Sequence, residues 1–193
     1  MYRDRDPELS RLIELMPASG RMFVQLIAKP EQPQVIDAPF PLPWKRSRPV
    51  YINFDLLRQL PLPEQDLAVL QAVCWVCEVE WFKPNLYQGL VVVGLLGTAI
   101  EMMQADAVGM VAGGGLTAMA VMQIRRKNRQ RDVMIEGDKA AVRVASRRGY
   151  SPEEAAEHLL KAIEHIAQIE GRNGLSVVEL LRCQNLRVML KNG

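Results

Sequence analysis

Pro63-Glu64-Gln65-Asp66-Leu67-Ala68-Val69-Leu70-Gln71-Ala72-Val73-Cys74-Trp75-Val76-Cys77-Glu78-Val79-Glu80-Trp81-Phe82 is the stretch on which the fold turns. Leu67, Leu70, Val73 and Val76 or Cys77 recur at three- and four-residue spacing, and Glu64 and Asp66 stand near the amino end, where the helix dipole favours negative charge. The spacing predicts a helix of about five turns at 3.6 residues each.

Downstream of it, between residues 84 and 124, Glu101 and Asp106 alone are charged. Leu86 to Met103 and Ala107 to Ile124 each approach the ~20 apolar residues that a helix needs to cross a hydrocarbon core. Polar Gln104-Ala105-Asp106 separates them, and seven of the thirteen glycines lie in these halves. Small residues allow close helix contact in lipid, and Gly109-x-x-x-Gly113 fits that pattern. A transmembrane helical hairpin over 83–124 is the expectation; a buried helical pair in a soluble bundle is the alternative. Lys83 before the hairpin and Arg125, Arg126, Lys127, Arg129 and Arg131 after it place both flanks in the cytoplasm, on a plasma or thylakoid membrane. Trp81, with Phe82 and Tyr87, stands where an aromatic belt meets the first span. A basic run beside an apolar span favours anionic lipid headgroups over nucleic acid, so membrane lipid is the expected partner and nucleic acid is not.

Towards the amino end, Pro7 to Met16 carries Leu9, Leu12, Ile13, Leu15 and Met16 at helical spacing, and Pro17-Ala18-Ser19-Gly20 stops it. Met22 to Ala28 and Gln34 to Phe40 flank the proline-marked turn Lys29-Pro30-Glu31-Gln32-Pro33 and read as a small antiparallel pair. Pro49 to Phe54 has the β-branched and aromatic content of a third strand. After the basic run, Val133, Ala140, Ala141, Val144 and Ala145 continue as a helix to Arg147-Arg148, with Gly149 as its carboxyl-terminal cap. Ser151-Pro152-Glu153-Glu154 opens another helix by a capping box, with Ala155, Leu159, Ala162, Ile163 and Ile166 as its buried stripe. Ser176 with Glu179 opens the last one.

The 193 residues carry a net charge of +2, with 24 basic against 22 acidic side chains, so neither sign announces a polyanionic or acidic ligand. The charged, mixed start Met1-Tyr2-Arg3-Asp4-Arg5-Asp6 lacks the apolar core of a cleavable export signal. Three cysteines are an odd count without the dense spacing of a disulfide scaffold. Cys74-Trp75-Val76-Cys77 has redox spacing but lies inside an apolar helix, away from the dipole that lowers a thiol pKa, and reads as packing. His158 and His165 lie two turns apart and with Glu154 or Glu157 make a weak metal candidate, but they flank an apolar stripe as solvated residues do.

The order of helix, apolar hairpin, then Glu136-Gly137-Asp138 and Arg148-Gly149-Tyr150-Ser151-Pro152-Glu153-Glu154-Ala155 resembles the integral-membrane zinc endopeptidases of the CAAX-prenyl-protease type. The resemblance spans residues 49 to 165. It implies a zincin-like arrangement in which HExxH on the first helix and a glutamate on the later one bind zinc. Ala72 and Val76 stand at the two histidines, Val73 at the general base and Met134 at the third ligand, while Asp138 keeps the aspartate of the second motif. Ala72, Val73 and Val76 can neither bind zinc nor move a proton, and Met134 replaces the glutamate ligand, so these positions are a degenerate former site. The whole chain is also similar to a cyanobacterial family of unknown function, through Glu14-Leu15-Met16-Pro17-Ala18-Ser19-Gly20-Arg21, Phe40-Pro41-Leu42-Pro43-Trp44, Tyr51-Ile52-Asn53-Phe54-Asp55 and Trp81-Phe82-Lys83-Pro84.

These readings together give an α+β fold, mostly α: a small antiparallel sheet with helices in a zincin-like arrangement and an inserted apolar helical hairpin. Residues 1–82 hold the first helix, the sheet and the former active-site helix, 83–124 the hairpin, and 125–193 helices that pack back on the first segment. The expected function is that of a catalytically inactive, membrane-anchored binding or assembly factor for other membrane proteins, with no cofactor. Strand addition to an edge formed by Val50, Ile52 and Phe54 would capture the partner. Two alternatives are a metallopeptidase whose zinc has moved to Cys74, Cys77 and Glu136 or Asp138, and a soluble helical regulator whose basic run touches nucleic acid.

Overall fold

The computed structural model describes residues 7–41, 47–78 and 131–192, together with Met119 and Met122. The elements in chain order are α1 (Pro7–Leu15), α2 (Ala18–Phe23), β1 (Val24–Ala28), β2 (Ile36–Asp37), β3 (Arg48–Ile52), α3 (Phe54–Leu57), α4 (Leu62–Glu78), α5 (Arg131–Ser146), α6 (Pro152–Ile169) and α7 (Val177–Asn192). Residues 1–79 and 131–193 belong to one compact unit. The fold is mostly helical with a small sheet.

α4 is the centre of that unit. Every residue from Glu64 to Val76 is buried, on all sides of the helix, which is the signature of a helix enclosed by neighbours rather than laid on a surface. Leu67, Leu70 and Cys74 join Ala140, Ala141, Val142 and Ala145 of α5, Ala155, Ala156, Leu159 and Ile163 of α6, and Cys183 and Leu186 of α7 in one core. Leu67, Leu159 and Leu186 are at most 1 % exposed, and each such side chain contributes about 1.5–3 kcal/mol. The helices start where the sequence directs. Ser151 Oγ accepts the Glu154 N–H at 3.1 Å while Glu154 accepts the Ser151 N–H at 2.9 Å, and Ser176 with Glu179 repeats the exchange at 3.3 and 2.7 Å. Beyond α5, Gly149 adopts φ 100°.

The sheet departs from the antiparallel expectation. Its order is β1-β3-β2, with β1 parallel to β3 and β2 antiparallel to it. The strands expected to pair as a hairpin, 22–28 and 34–40, flank β3 instead. β3 takes the middle with Val50 and Ile52 wholly buried on one face and Pro49 and Tyr51 half-buried on the other. Asn53 secures the crossover: its Nδ2 donates to the Pro30 and Gln32 carbonyls, both at 2.9 Å, while its Oδ1 caps α3 through the Asp55 and Leu56 N–H groups. The expected edge at Val50, Ile52 and Phe54 is therefore corrected: the first two are central, and Phe54 is the first residue of α3. α2 is a further departure, since the helical path resumes after Pro17 and the first strand begins only at Val24.

The integral-membrane location is also corrected. Among the described residues, no helix is long and apolar enough to cross a membrane. The hairpin expected over 83–124 lies outside the described residues, as do the flanking Trp81, Lys83, Arg125, Arg126, Lys127 and Arg129. Arg131 is the first residue of α5.

Candidate functional site

The former-site positions come together as packing. Ala72, Val73 and Val76 are buried on α4, and two glycines let neighbouring backbones close on that helix. A Cβ at Gly20 of α2 would lie 2.7 Å from Val73 Cγ1, and one at Gly137 of α5 would lie 3.2 Å from Trp75 Cα. Met134 is half-buried on α5. Asp138 is enclosed and clasped by Arg182 of α7, whose Nη2 and Nε donate at 2.7 and 2.9 Å to its two carboxylate oxygens. Burial pushes the Asp138 carboxyl above the usual carboxylate range, with Arg182 opposing that shift only in part. The retained aspartate thus joins α5 to α7. Gln71 of α4 also hydrogen-bonds the Asp138 carboxylate, and one turn on, Trp75 Nε1 is buried with no hydrogen-bond partner among the described residues.

The residues named for a relocated zinc are committed elsewhere. Burial pushes the Cys74 thiol up to about 12, and Cys77 is raised by burial too. Glu136 is exposed and paired with Lys139 at 2.7 Å. Among the described residues, no group of three or more His, Cys, Asp or Glu side chains could hold a metal ion. The two histidines also separate: His158 lies edge-on to the Tyr150 ring at 6.3 Å, and His165 Nδ1 meets Glu64 Oε2 at 2.6 Å. Glu154 serves the α6 cap, and Glu157 pairs with Lys161.

That Glu64 contact belongs to a polar cluster that sequence reading missed. Glu64, Gln65 and Asp66 are consecutive and all buried at the first turns of α4. Arg11 of α1 donates to Asp66 and, at 3.2 Å, to Gln65 Oε1. Tyr150, between α5 and α6, donates its hydroxyl to Asp66 at 2.9 Å. Burial, then the bond to Asp66, pushes the Tyr150 phenol up to about 12. Gln65 Nε2 donates to the Leu60 carbonyl at 2.8 Å. The arrangement ties α1, the α5–α6 turn and α6 to one end of the central helix. A run of three polar residues directly before a long apolar segment was the signal, and dipole stabilisation explained two of them too easily.

The remaining feature is an open strand. Among the described residues β1 has a neighbour on one side only, β3. The Lys29 N–H donates to the Ile52 carbonyl at 2.8 Å. By the alternation of a parallel ladder, Gln25 and Ile27 therefore turn their backbone groups to β3, while Leu26 and Ala28 turn theirs away from it. Met22 is 75 %, Phe23 45 % and Ile27 37 % exposed, so an apolar strip runs beside this edge. No charged residue lies between Met22 and Ala28. β2, the opposite edge, is two residues long, carries Asp37, and is followed by Pro39 and Pro41, which are the usual protections of an exposed edge.

The sequence profile of a family described as Protein of unknown function (DUF3318) matches residues 10–150, and the chain belongs to that family. The matched stretch takes in the sheet, α4, α5 and Tyr150 of the polar cluster. No curated protein and no solved structure matches the chain.

Proposed function

We propose that the chain acts by binding, as a non-catalytic assembly protein that takes an extended segment of a protein partner along the open edge of β1. The observation that carries this reading is an edge with no neighbour among the described residues: outward backbone groups at Leu26 and Ala28, an apolar strip beside them and no charge in the strand. Strand addition uses main-chain hydrogen bonds for affinity and neighbouring side chains for selection. On the same reading, α4 and α5 are the remnant of a peptidase-like, zincin-type scaffold whose ligand positions are now Ala72, Val76 and Met134, and whose source is cyanobacterial.

The test is a photo-reactive residue placed at position 27, with position 180 on exposed α7 as control, followed by identification of the attached peptide and its titration as a synthetic segment. Binding should weaken by at least about tenfold in Ala28→Pro, which removes an outward N–H at an edge where proline is tolerated. Equal crosslinking from both positions, or equal binding by a natively folded Ala28→Pro protein, refutes the reading.

A further inference from the structure

We infer that the strand taken up by β1 is the β1 of a second copy of this chain, paired antiparallel about a two-fold axis through Leu26. This rests on the binding reading above and names its partner.

The register follows from parity. In an antiparallel ladder, directly opposed hydrogen-bonded residues exchange both of their main-chain bonds, so each must face its backbone groups outward. Leu26 does so and is the middle residue of Val24–Ala28. A two-fold axis at Leu26 therefore opposes Leu26 to Leu26 and Val24 to Ala28, overlapping the whole strand; a shift by one pair leaves part of it uncovered. The Val24 N–H is already given to the Gly20 carbonyl, so the contact forms about four interstrand hydrogen bonds.

The side chains are compatible with this register. Gln25 falls opposite the second copy's Ile27 on the outer face, and no like charges meet within the strand. Arg21, in α2, precedes β1 and Glu31 follows it; both are exposed, and neither forms an ion pair among the described residues. An antiparallel approach brings the end of α2, which carries Arg21, beside the turn that follows the second copy's β1, which carries Glu31, twice by symmetry. Lys29, between them, is held over its own Tyr51 ring at 5.1 Å. The edge is thus complementary to itself in hydrogen bonding, in apolar surface and in charge.

Sedimentation equilibrium of the full chain, read alongside crosslinking from position 27, tests this. Wild type should dimerise. Arg21→Glu or Glu31→Arg alone should weaken the dimer by about three- to tenfold, and the double reversal should restore it, since exposed pairs contribute modestly. Ala28→Pro should be monomeric with an unchanged circular dichroism spectrum. Wild type remaining monomeric up to about 0.1 mM overturns the inference, as does a double reversal weaker than both single variants. A monomer that crosslinks from position 27 to a different protein removes the second copy and leaves the binding reading standing; a monomer that crosslinks to nothing removes both.

Discussion

Arg182→Met should be among the most damaging single substitutions in the chain, and its cost should depend on pH in a defined direction. The Asp138 and Arg182 side chains are 3 % and 11 % exposed, so the substitution leaves a buried carboxylate without its cation. Breaking such a pair from one side costs about 3–5 kcal/mol, a large part of the roughly 5–15 kcal/mol that holds a domain folded. For a chain of this size that corresponds to a fall of about 6–20 °C in Tm. Burial already raises the folded-state pKa of Asp138 above its ordinary value. Ionisation of a group shifted in that direction costs stability that grows as pH rises from the ordinary pKa to the folded one, and the cost disappears as pH falls back through that window. Removing Arg182 takes away the counter-charge and raises that pKa further. The deficit of the variant should therefore be largest at neutral pH and narrow on acidification, as Asp138 takes up a proton. Asp138→Leu combined with Arg182→Met should recover most of the loss, because neither charge is then buried alone. Urea and thermal unfolding of the three proteins, followed by circular dichroism at neutral pH and near pH 5, measures all of this. A deficit below about 1 kcal/mol at neutral pH, or one that acid does not reduce, refutes the reasoning.

Gly137→Val should cost about 1–3 kcal/mol by overpacking, since a Cβ there meets Trp75 Cα and Cβ at 3.2 Å; urea midpoints and a shift in tryptophan emission report it. Burial pushes the Glu179 carboxyl up, but its bonds to Arg172 and Ser176 outweigh that and bring it down to about 2. Its contribution is therefore present above the ordinary carboxylate range and lost as pH falls towards about 2, so the stability curves of wild type and Glu179→Gln should converge in strong acid. With its thiol raised to about 12, Cys74 should be alkylated in mildly alkaline buffer only as fast as the protein unfolds; mass spectrometry showing faster labelling of the native state would contradict its buried, protonated form.

Local signals in the sequence proved reliable where the chemistry is local. The Ser151 and Ser176 caps, the helix through Leu67 to Val76 and the buried stripe from Ala155 to Ile163 all follow from spacing and from one side chain meeting a nearby N–H. Pairing of strands is not local. The runs at 22–28 and 34–40 are joined by a proline turn that suits a hairpin, yet β3 separates them, because Val50 and Ile52 bury more deeply than anything β2 offers. The same limit applied to the candidate site. Periodicity identified Ala72, Val73 and Val76 as apolar, but the partners of Asp138 and Asp66 come from Arg182 and Arg11, tens of residues away in the chain. The edge strand was expected in the wrong place for a related reason: β-branched content marks a good strand and equally marks a central one.

The enclosure of α4 also sets a timetable for synthesis. Its apolar surface from Leu67 to Val76 is covered chiefly by α5 and α6, both of which begin at or after residue 131. At about 5–20 residues per second, the ribosome takes roughly 3–10 s to produce residues 79–130, and the exit tunnel adds to the wait. During that interval the nascent chain displays a helix built to be surrounded, with neither of its two chief covering helices yet made. Chaperone capture of the growing chain should therefore begin as α4 emerges and end once α5 and α6 have left the ribosome, and a stalled chain ending near residue 130 should be far more prone to aggregation than the completed one.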